Sequence, residues 1–260
     1  MEKINLIHGD CINVMKDFDN NSIDLIVTSP PYYNAREYSQ YDTLDHYFET
    51  MKKCFELSYK MLKPGRFCCV NVSCVIVSRK NRQSQSKRIP IPFLFVSMMM
   101  EIGYEFLEDI QWIKPSGAAK NRNGGFFQHS KPLAYKPNIC NEYILVFQKP
   151  SSHLLDKHLK NNSLVLEDYE KTNIWKINPV TSSKHTAPFP LEIPKRLIKF
   201  YSYENEIVLD MFSGSGTTGI ACLETNRKYI GIEQDQTYYQ LSHNIFETYK
   251  HNEKQIKLFK

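Results

Sequence analysis

The segment EIVLDMFSGSGTTGIACLETN, residues 206–226, constrains this chain more than any other. An apolar run of strand type meets Gly214, Gly216 and Gly219 in the spacing GxGxxG, and a helical pattern follows at once. Glycines between a strand and a helix let the backbone approach a ligand closely at a helix N-terminus, where free amides and the helix dipole favour polar or anionic groups. Glu233, at the end of the next apolar run KYIGIEQD, is placed to accept hydrogen bonds from ribose hydroxyls. A nucleoside derivative is the ligand this pattern predicts.

A dinucleotide would need the second half of its fold after this unit, and only about 25 residues follow Asp235. S-adenosylmethionine needs a single such unit. Asp210 and Phe212 precede the glycines; an acid there can meet the cofactor's cationic amino group, and an aromatic ring can pack on its adenine.

The rest of the chain alternates between strand and helix patterns, which predicts a mainly parallel sheet covered by helices. NLIHGD, SIDLIVTS, RFCCVNVSCVIV, EFLEDIQWIK, EYILVFQK, EIVLDMF and KYIGIEQD read as strands. Asp42 to Leu62 carries apolar residues at helical spacing and stops at Lys63-Pro64-Gly65, and Pro90–Gly103 and Leu191–Tyr201 also read as helices. Ser151 to Thr186 has little periodicity and reads as an insertion, in which Trp175 is expected to pack rather than stack on a ligand. No apolar run approaches the roughly 20 residues that span a bilayer, and MEKINLIHGD does not read as a signal peptide. Seven cysteines without paired or ligand-like spacing predict a reduced cytoplasmic setting and no structural metal.

Positive charge is segregated. Cys69 to Met100 contains no acid and five bases, Arg79, Lys80, Arg82, Lys87 and Arg88. Ile110 to Asn141 repeats this with Lys114, Lys120, Arg122, Lys131 and Lys136. These ten, out of 33 in the chain, leave 23 bases facing 28 acids elsewhere. A polyanion is the partner such a distribution fits.

The hexapeptide TSPPYY, residues 28–33, ends the buried run SIDLIV. Prolines end sheet pairing because they lack an amide donor, but they leave Tyr32 and Tyr33 without a role. TSPPY together with DMFSGSG resembles the amino-methyltransferases of DNA, which methylate the exocyclic nitrogen of cytosine (N4) or adenine (N6). With the SPPY segment first and the glycine loop last, the order is similar to the circularly permuted class beta. Gly9-Asp10, Leu62-Lys63-Pro64-Gly65, Trp112-Ile113-Lys114-Pro115 and His185 to Pro190 match as well.

The resemblance implies a Rossmann-like methyltransferase fold with helices on both faces of a mostly parallel sheet. Residues 1–115 would form the catalytic part and 187–260 the cofactor-binding part. Residues 116–186 would form a small inserted target-recognition region, with a core strand near 142–149. It implies cofactor contacts from Asp10, Asp210, Phe212, Ser213, Gly214, Gly216, Thr217 and Glu233, S-adenosylhomocysteine as product, and no metal. Ser29 and a carbonyl of Pro30-Pro31 would accept the amino hydrogens of a flipped base, and Tyr32 would stack on it. Phosphate contacts would come from Arg79, Lys80, Arg82, Lys87, Arg88, Lys120 and Arg122.

Within the family SPPY is more frequent in N4-cytosine enzymes and DPPY in N6-adenine enzymes, so the resemblance favours cytosine, with adenine the alternative and an RNA methyltransferase more distant. A cognate restriction endonuclease and a homodimer are the partners the family implies. A C5-cytosine enzyme is disfavoured because the motif has no cysteine to add to the ring. A nicotinamide dehydrogenase leaves TSPPYY without a role, and an inactive DNA-binding subunit does not need both motifs complete.

Overall fold

The computed structural model describes residues 3–34, 41–77, 86–115, 132–133, 137, 139–152, 164–180 and 190–258. Its elements run β1 (Ile4–His8), α1 (Cys11–Met15), β2 (Ile23–Thr28), α2 (Leu44–Met61), β3 (Leu62–Val72), β4 (Val75–Val77) and β5 (Lys87–Ile89). There follow α3 (Ile91–Ile102), β6 (Glu105–Ile113), β7 (Asn141–Gln148), β8 (Ile174–Lys176), α4 (Glu192–Tyr201), β9 (Ile207–Asp210), α5 (Thr217–Glu224), β10 (Lys228–Glu233) and α6 (Gln236–Leu258).

Among the described residues, eight strands form one sheet in the order β1-β10-β9-β2-β3-β7-β6-β8. β1, β10, β9, β2 and β3 are mutually parallel, β7 is antiparallel to both its neighbours, and β8 pairs parallel to β6. All six residues of β2 are buried, as a central parallel strand covered on both faces requires. One apolar layer packs α1, α2 and α3 onto the sheet through Met15, Met51, Phe55 and Phe95. The other packs α4, α5 and α6 through Ile193, Leu197, Cys222 and Phe246. Each fully buried side chain of this kind contributes about 1.5–3 kcal/mol relative to exposure, so both faces are held by the hydrophobic effect. Helix ends follow local chemistry: the Thr43 hydroxyl accepts from the His46 amide at 3.1 Å to start α2, and Gly103, at φ 113°, ends α3 in the left-handed region.

Two expectations change. The predicted strand RFCCVNVSCVIV is two: β3 ends at Val72, and after Ser73 and Cys74 the chain leaves the sheet to pair β4 with β5 in a separate antiparallel ribbon. The apolar pattern continues across the break because Val75 is buried under the helical layer. Within the expected insertion, Ile174–Lys176 joins the edge of the main sheet with Trp175 opposite Trp112. Trp175 is buried there, as a packing residue, beneath the Arg196 guanidinium at 5.3 Å. The insertion's residues 116–131, 134–136, 138, 153–163 and 181–186 lie outside the described residues.

Candidate active site

In the order β10-β9-β2-β3 the sheet changes direction between β9 and β2: β9 connects through α5 to β10 on one side, and β2 through α2 to β3 on the other. Adjacent crossovers leaving in opposite directions open a crevice at the carboxyl ends of the two strands, the general ligand position of open α/β sheets. β9 ends at Asp210 and β2 at Thr28, and the Thr28 hydroxyl donates to Asp210 Oδ1 at 2.7 Å. The glycine loop and TSPPYY, 182 residues apart at this contact, therefore open from the same crevice.

On the glycine side, Asp210 is 4% exposed and accepts two further bonds, from the Thr218 hydroxyl at 2.7 Å and the Phe212 amide at 3.1 Å. Burial raises its carboxyl above the ordinary value, and the three donors oppose that rise. The sequence places Asp210 against a cationic group of the cofactor; in the structure its carboxylate faces inward and ties the two motifs together. Ser213 is also turned inward, its amide donating to the Ile232 carbonyl at 3.0 Å and its hydroxyl accepting from Tyr229 at 2.8 Å. Both bonds anchor the loop to β10.

Gly214 and Gly216 have φ of 53° and 81°, the region where side chains are strained, and the Gly216 amide closes the turn on the Ser213 carbonyl at 2.9 Å. Gly219 serves packing: a Cβ there would meet the Phe246 ring at 2.5 Å and Tyr229 at 2.8 Å. Thr217 opens α5 at the loop, half-buried, and the Phe212 ring is half-buried against the core.

Glu233 ends β10 half-buried, with Oε2 accepting the Gly214 amide at 2.7 Å and Oε1 the Asp235 amide at 2.8 Å. Burial raises its carboxyl above the ordinary value. Each oxygen retains a lone pair for a ligand hydroxyl. Asp10 caps α1, accepting the Asn13 amide at 3.0 Å, and the preceding Gly9 amide donates to the Glu233 carbonyl at 3.0 Å. Asp10 and Glu233 thus stand at the ends of paired strands on one rim of the crevice.

On the other side, the Ser29 hydroxyl donates to the Asn71 carbonyl at 3.2 Å. Its single proton is used there, and its lone pairs remain free to accept. Pro30 is buried and Pro31 half-buried. Tyr32 donates its hydroxyl to Glu142 Oε2 at 2.7 Å and accepts from Asn71 Nδ2 at 3.0 Å; Asn71 Nδ2 also reaches Glu142 Oε2 at 2.7 Å. Lys114 pairs with Glu142 Oε1 and lies over the Trp112 ring at 4.3 Å. Tyr33 packs edge-on against the buried Tyr47, ring centroids 5.8 Å apart, and so belongs to the core layer.

The sequence reading did not single out Asn71 or Glu142, and it used Lys114 only as a match and a source of charge. A usable signal existed, since Asn71 interrupts an otherwise apolar buried run and Glu142 stands just before the buried stretch ILVF. Of the bases expected to meet phosphate, Lys87 and Arg88 are exposed on β5, with Arg88 also donating to the Pro137 carbonyl. Arg79, Lys80, Arg82, Lys120 and Arg122 lie outside the described residues.

A profile of a DNA methylase family, N6_N4_Mtase, matches residues 23–244. The Type II beta methyltransferase M.BslI of Bacillus sp. (strain NEB-606) is 34% identical over 251 residues, covering 92% of this chain and 27% of that protein. The chain thus spans about a quarter of M.BslI. The Type II methyltransferase M.BglI of Bacillus subtilis is 27% identical over 307 residues, covering 96% of this chain and 87% of that one. Among solved structures, a protein of Thermus thermophilus described as a putative DNA modification methylase, in complex with S-adenosyl-L-methionine, superimposes with a TM-score of 0.75 at 27% identity, over 93% of this chain and 92% of that one. The cytosine-N4-specific PvuII DNA methyltransferase shares the fold, with a TM-score of 0.69 at 21% identity over 94% and 86% of the two chains.

Proposed function

The chain belongs to the N6/N4 amino-methyltransferase family of DNA methylases, and we propose that it methylates the exocyclic N4 of a cytosine swung out of duplex DNA, as the modification enzyme of a Type II restriction–modification system. The observation that carries this reading is the 2.7 Å bond between Thr28 and Asp210, which brings TSPPYY beside the glycine loop. The Type II names of M.BslI and M.BglI support the biological setting, in which a cognate restriction endonuclease reads the same sequence.

The residues present fit S-adenosylmethionine. Glu233 offers a half-exposed carboxylate, Phe212 a half-buried ring, and the Gly214–Thr217 turn opens onto the N-terminus of α5. S-adenosylmethionine supplies an electrophilic methyl group when bound. The chain's own residues make the acceptor nitrogen reactive. The amino group of cytosine is a poor nucleophile because its lone pair is delocalised into the ring. Hydrogen bonds from its two N–H groups to Ser29 Oγ and to a carbonyl of Pro30-Pro31 draw the nitrogen toward tetrahedral geometry and free that pair. Proline's rigid φ holds the carbonyl in place, so the arrangement is preorganised. Tyr32 covers the face of the base, a contact worth about 1–3 kcal/mol in nucleic-acid sites.

Serine at position 29 favours cytosine over adenine. The test is to incubate duplex DNA with methyl-labelled S-adenosylmethionine, digest it to nucleosides and separate them by mass spectrometry. Label on N4-methylcytosine is expected; label on N6-methyladenine would overturn the cytosine assignment and leave the family intact.

A further inference from the structure

Methyl transfer to an amino nitrogen leaves that nitrogen with one proton too many. In this chain the motif residue that accepts the N–H is a serine, which cannot keep a second proton. The Asn71 carbonyl that takes the Ser29 proton at 3.2 Å is equally unable to hold one. Asp210 is the acid on the cofactor side, but its oxygens already receive Thr28, Thr218 and the Phe212 amide, and none of these is Ser29.

A path exists in the other direction. The Tyr32 hydroxyl has one proton and two acceptor positions. It gives the proton to Glu142 Oε2 at 2.7 Å and receives Asn71 Nδ2 at 3.0 Å, which leaves one position for Ser29. Burial first, and then Glu142, hold the Tyr32 phenol well above its ordinary pKa, and the nearby Ser29 hydroxyl opposes that rise. The phenol therefore stays neutral and is suited to passing a proton on, not losing it. Asn71 has its amide nitrogen on the carboxylate and the phenol, which fixes both, and its side-chain oxygen is buried without a partner. Glu142 is charge-paired with Lys114 and its side chain is 13% exposed, so it has a counter-ion and an outlet to water.

Building on the amino-methyltransferase reading, we propose that Glu142 is the proton acceptor of the methyl-transfer step, reached through the hydroxyls of Ser29 and Tyr32. As the carbon–nitrogen bond forms, the carbon–sulfur bond breaks and its electron pair stays on sulfur, cancelling the sulfonium charge. The Ser29 hydroxyl turns from the Asn71 carbonyl toward Tyr32; the amino N–H proton moves to Ser29 Oγ, the Ser29 proton to Tyr32 Oη, and the Tyr32 proton to Glu142 Oε2. The product amine is neutral, and Glu142 ends as a carboxylic acid beside Lys114 and returns its proton to water. Asn71 and Lys114 are positioning residues in this path.

The test uses the full chain, S-adenosylmethionine and a duplex carrying its recognition site, found by single-molecule sequencing of DNA from expressing cells. Single-turnover rates are measured in mixtures of light and heavy water for wild type, Tyr32→Phe and Glu142→Gln. Tyr32→Phe keeps the ring and removes only the hydroxyl, so it remains informative if Glu142→Gln fails to fold. Each variant should slow the step by about 100-fold or more, with DNA affinity within about twofold of wild type. The wild-type rate should fall along a curve that requires several protons in flight, and the variants along a straight line. Unchanged rates would overturn the proposal, and so would slower rates with the wild-type curvature, which is what a merely structural role predicts. In either case a methylating wild type leaves the family reading intact. A wild type that methylates no DNA would remove both.

Discussion

Replacing Thr28 by valine isolates the contact between the two motifs. Valine has nearly the volume of threonine, so the change removes one hydroxyl from a buried site without opening a cavity. Asp210 keeps two of its three donors, and a hydrogen bond to a charged group is worth about 1.5–3 kcal/mol. For a domain of this size that corresponds to a fall in Tm of about 3–12 °C. The loss depends on pH, with a sign that can be worked out. Burial already raises the Asp210 carboxyl, and Thr28 is one of the groups that restrains the rise. Valine lifts the folded-state value further and leaves the unfolded one unchanged. The difference between the two proteins is therefore complete above both folded-state values and shrinks as pH falls through them, because a protonated carboxyl needs fewer donors. Urea unfolding followed from pH 8 down to the acid limit of folding should show the largest penalty at the alkaline end and a smaller one as pH falls. A penalty below about 0.5 kcal/mol, or one that stays constant down to the acid limit of folding, would refute the claim that Thr28 stabilises an ionised Asp210.

Three further changes test other parts of the site. Ser29→Ala should lower the single-turnover rate by about 100-fold or more with little effect on S-adenosylmethionine affinity by calorimetry. Ser29→Asp should not restore it, since a carboxylate would then face the Asn71 carbonyl that now accepts the serine proton. Gly219→Ala should cost about 1–3 kcal/mol in thermal unfolding through overpacking against Phe246 and Tyr229. Adding Phe246→Leu should recover part of that loss, and strict additivity would count against the packing role. Lys87→Ala with Arg88→Ala should weaken binding to all duplex sequences alike and flatten the salt dependence by about 0.9 for each phosphate left unneutralised. An unaltered slope in filter binding would remove β5 from the DNA-facing surface.

What could be read from the chain, and what could not, divides along the range of the interactions. Strand, glycine turn and helix are written in contiguous residues, so Gly214, Gly216 and the helix that follows them were legible, as was the stop that prolines impose after β2. β8 was not, because Ile174–Lys176 is too short to display a period, and its burial depends on Trp112 from another strand. Asp210 shows the same limit at a single residue. Its position at a strand tip beside glycines is local information, and it correctly marks the crevice. Its hydrogen bonds to Thr28 and Thr218 depend on β2 lying beside β9, which only the strand order supplies. Tyr32, Asn71, Glu142 and Lys114 come from β2, β3, β7 and β6 ends and meet only because β7 inserts antiparallel between β3 and β6. That insertion is what gives the serine motif a carboxylate. An aspartate in the motif would bring its own acid to the amino group, whereas Ser29 depends on Glu142, a residue distant in the chain that the antiparallel strand β7 delivers to the crevice.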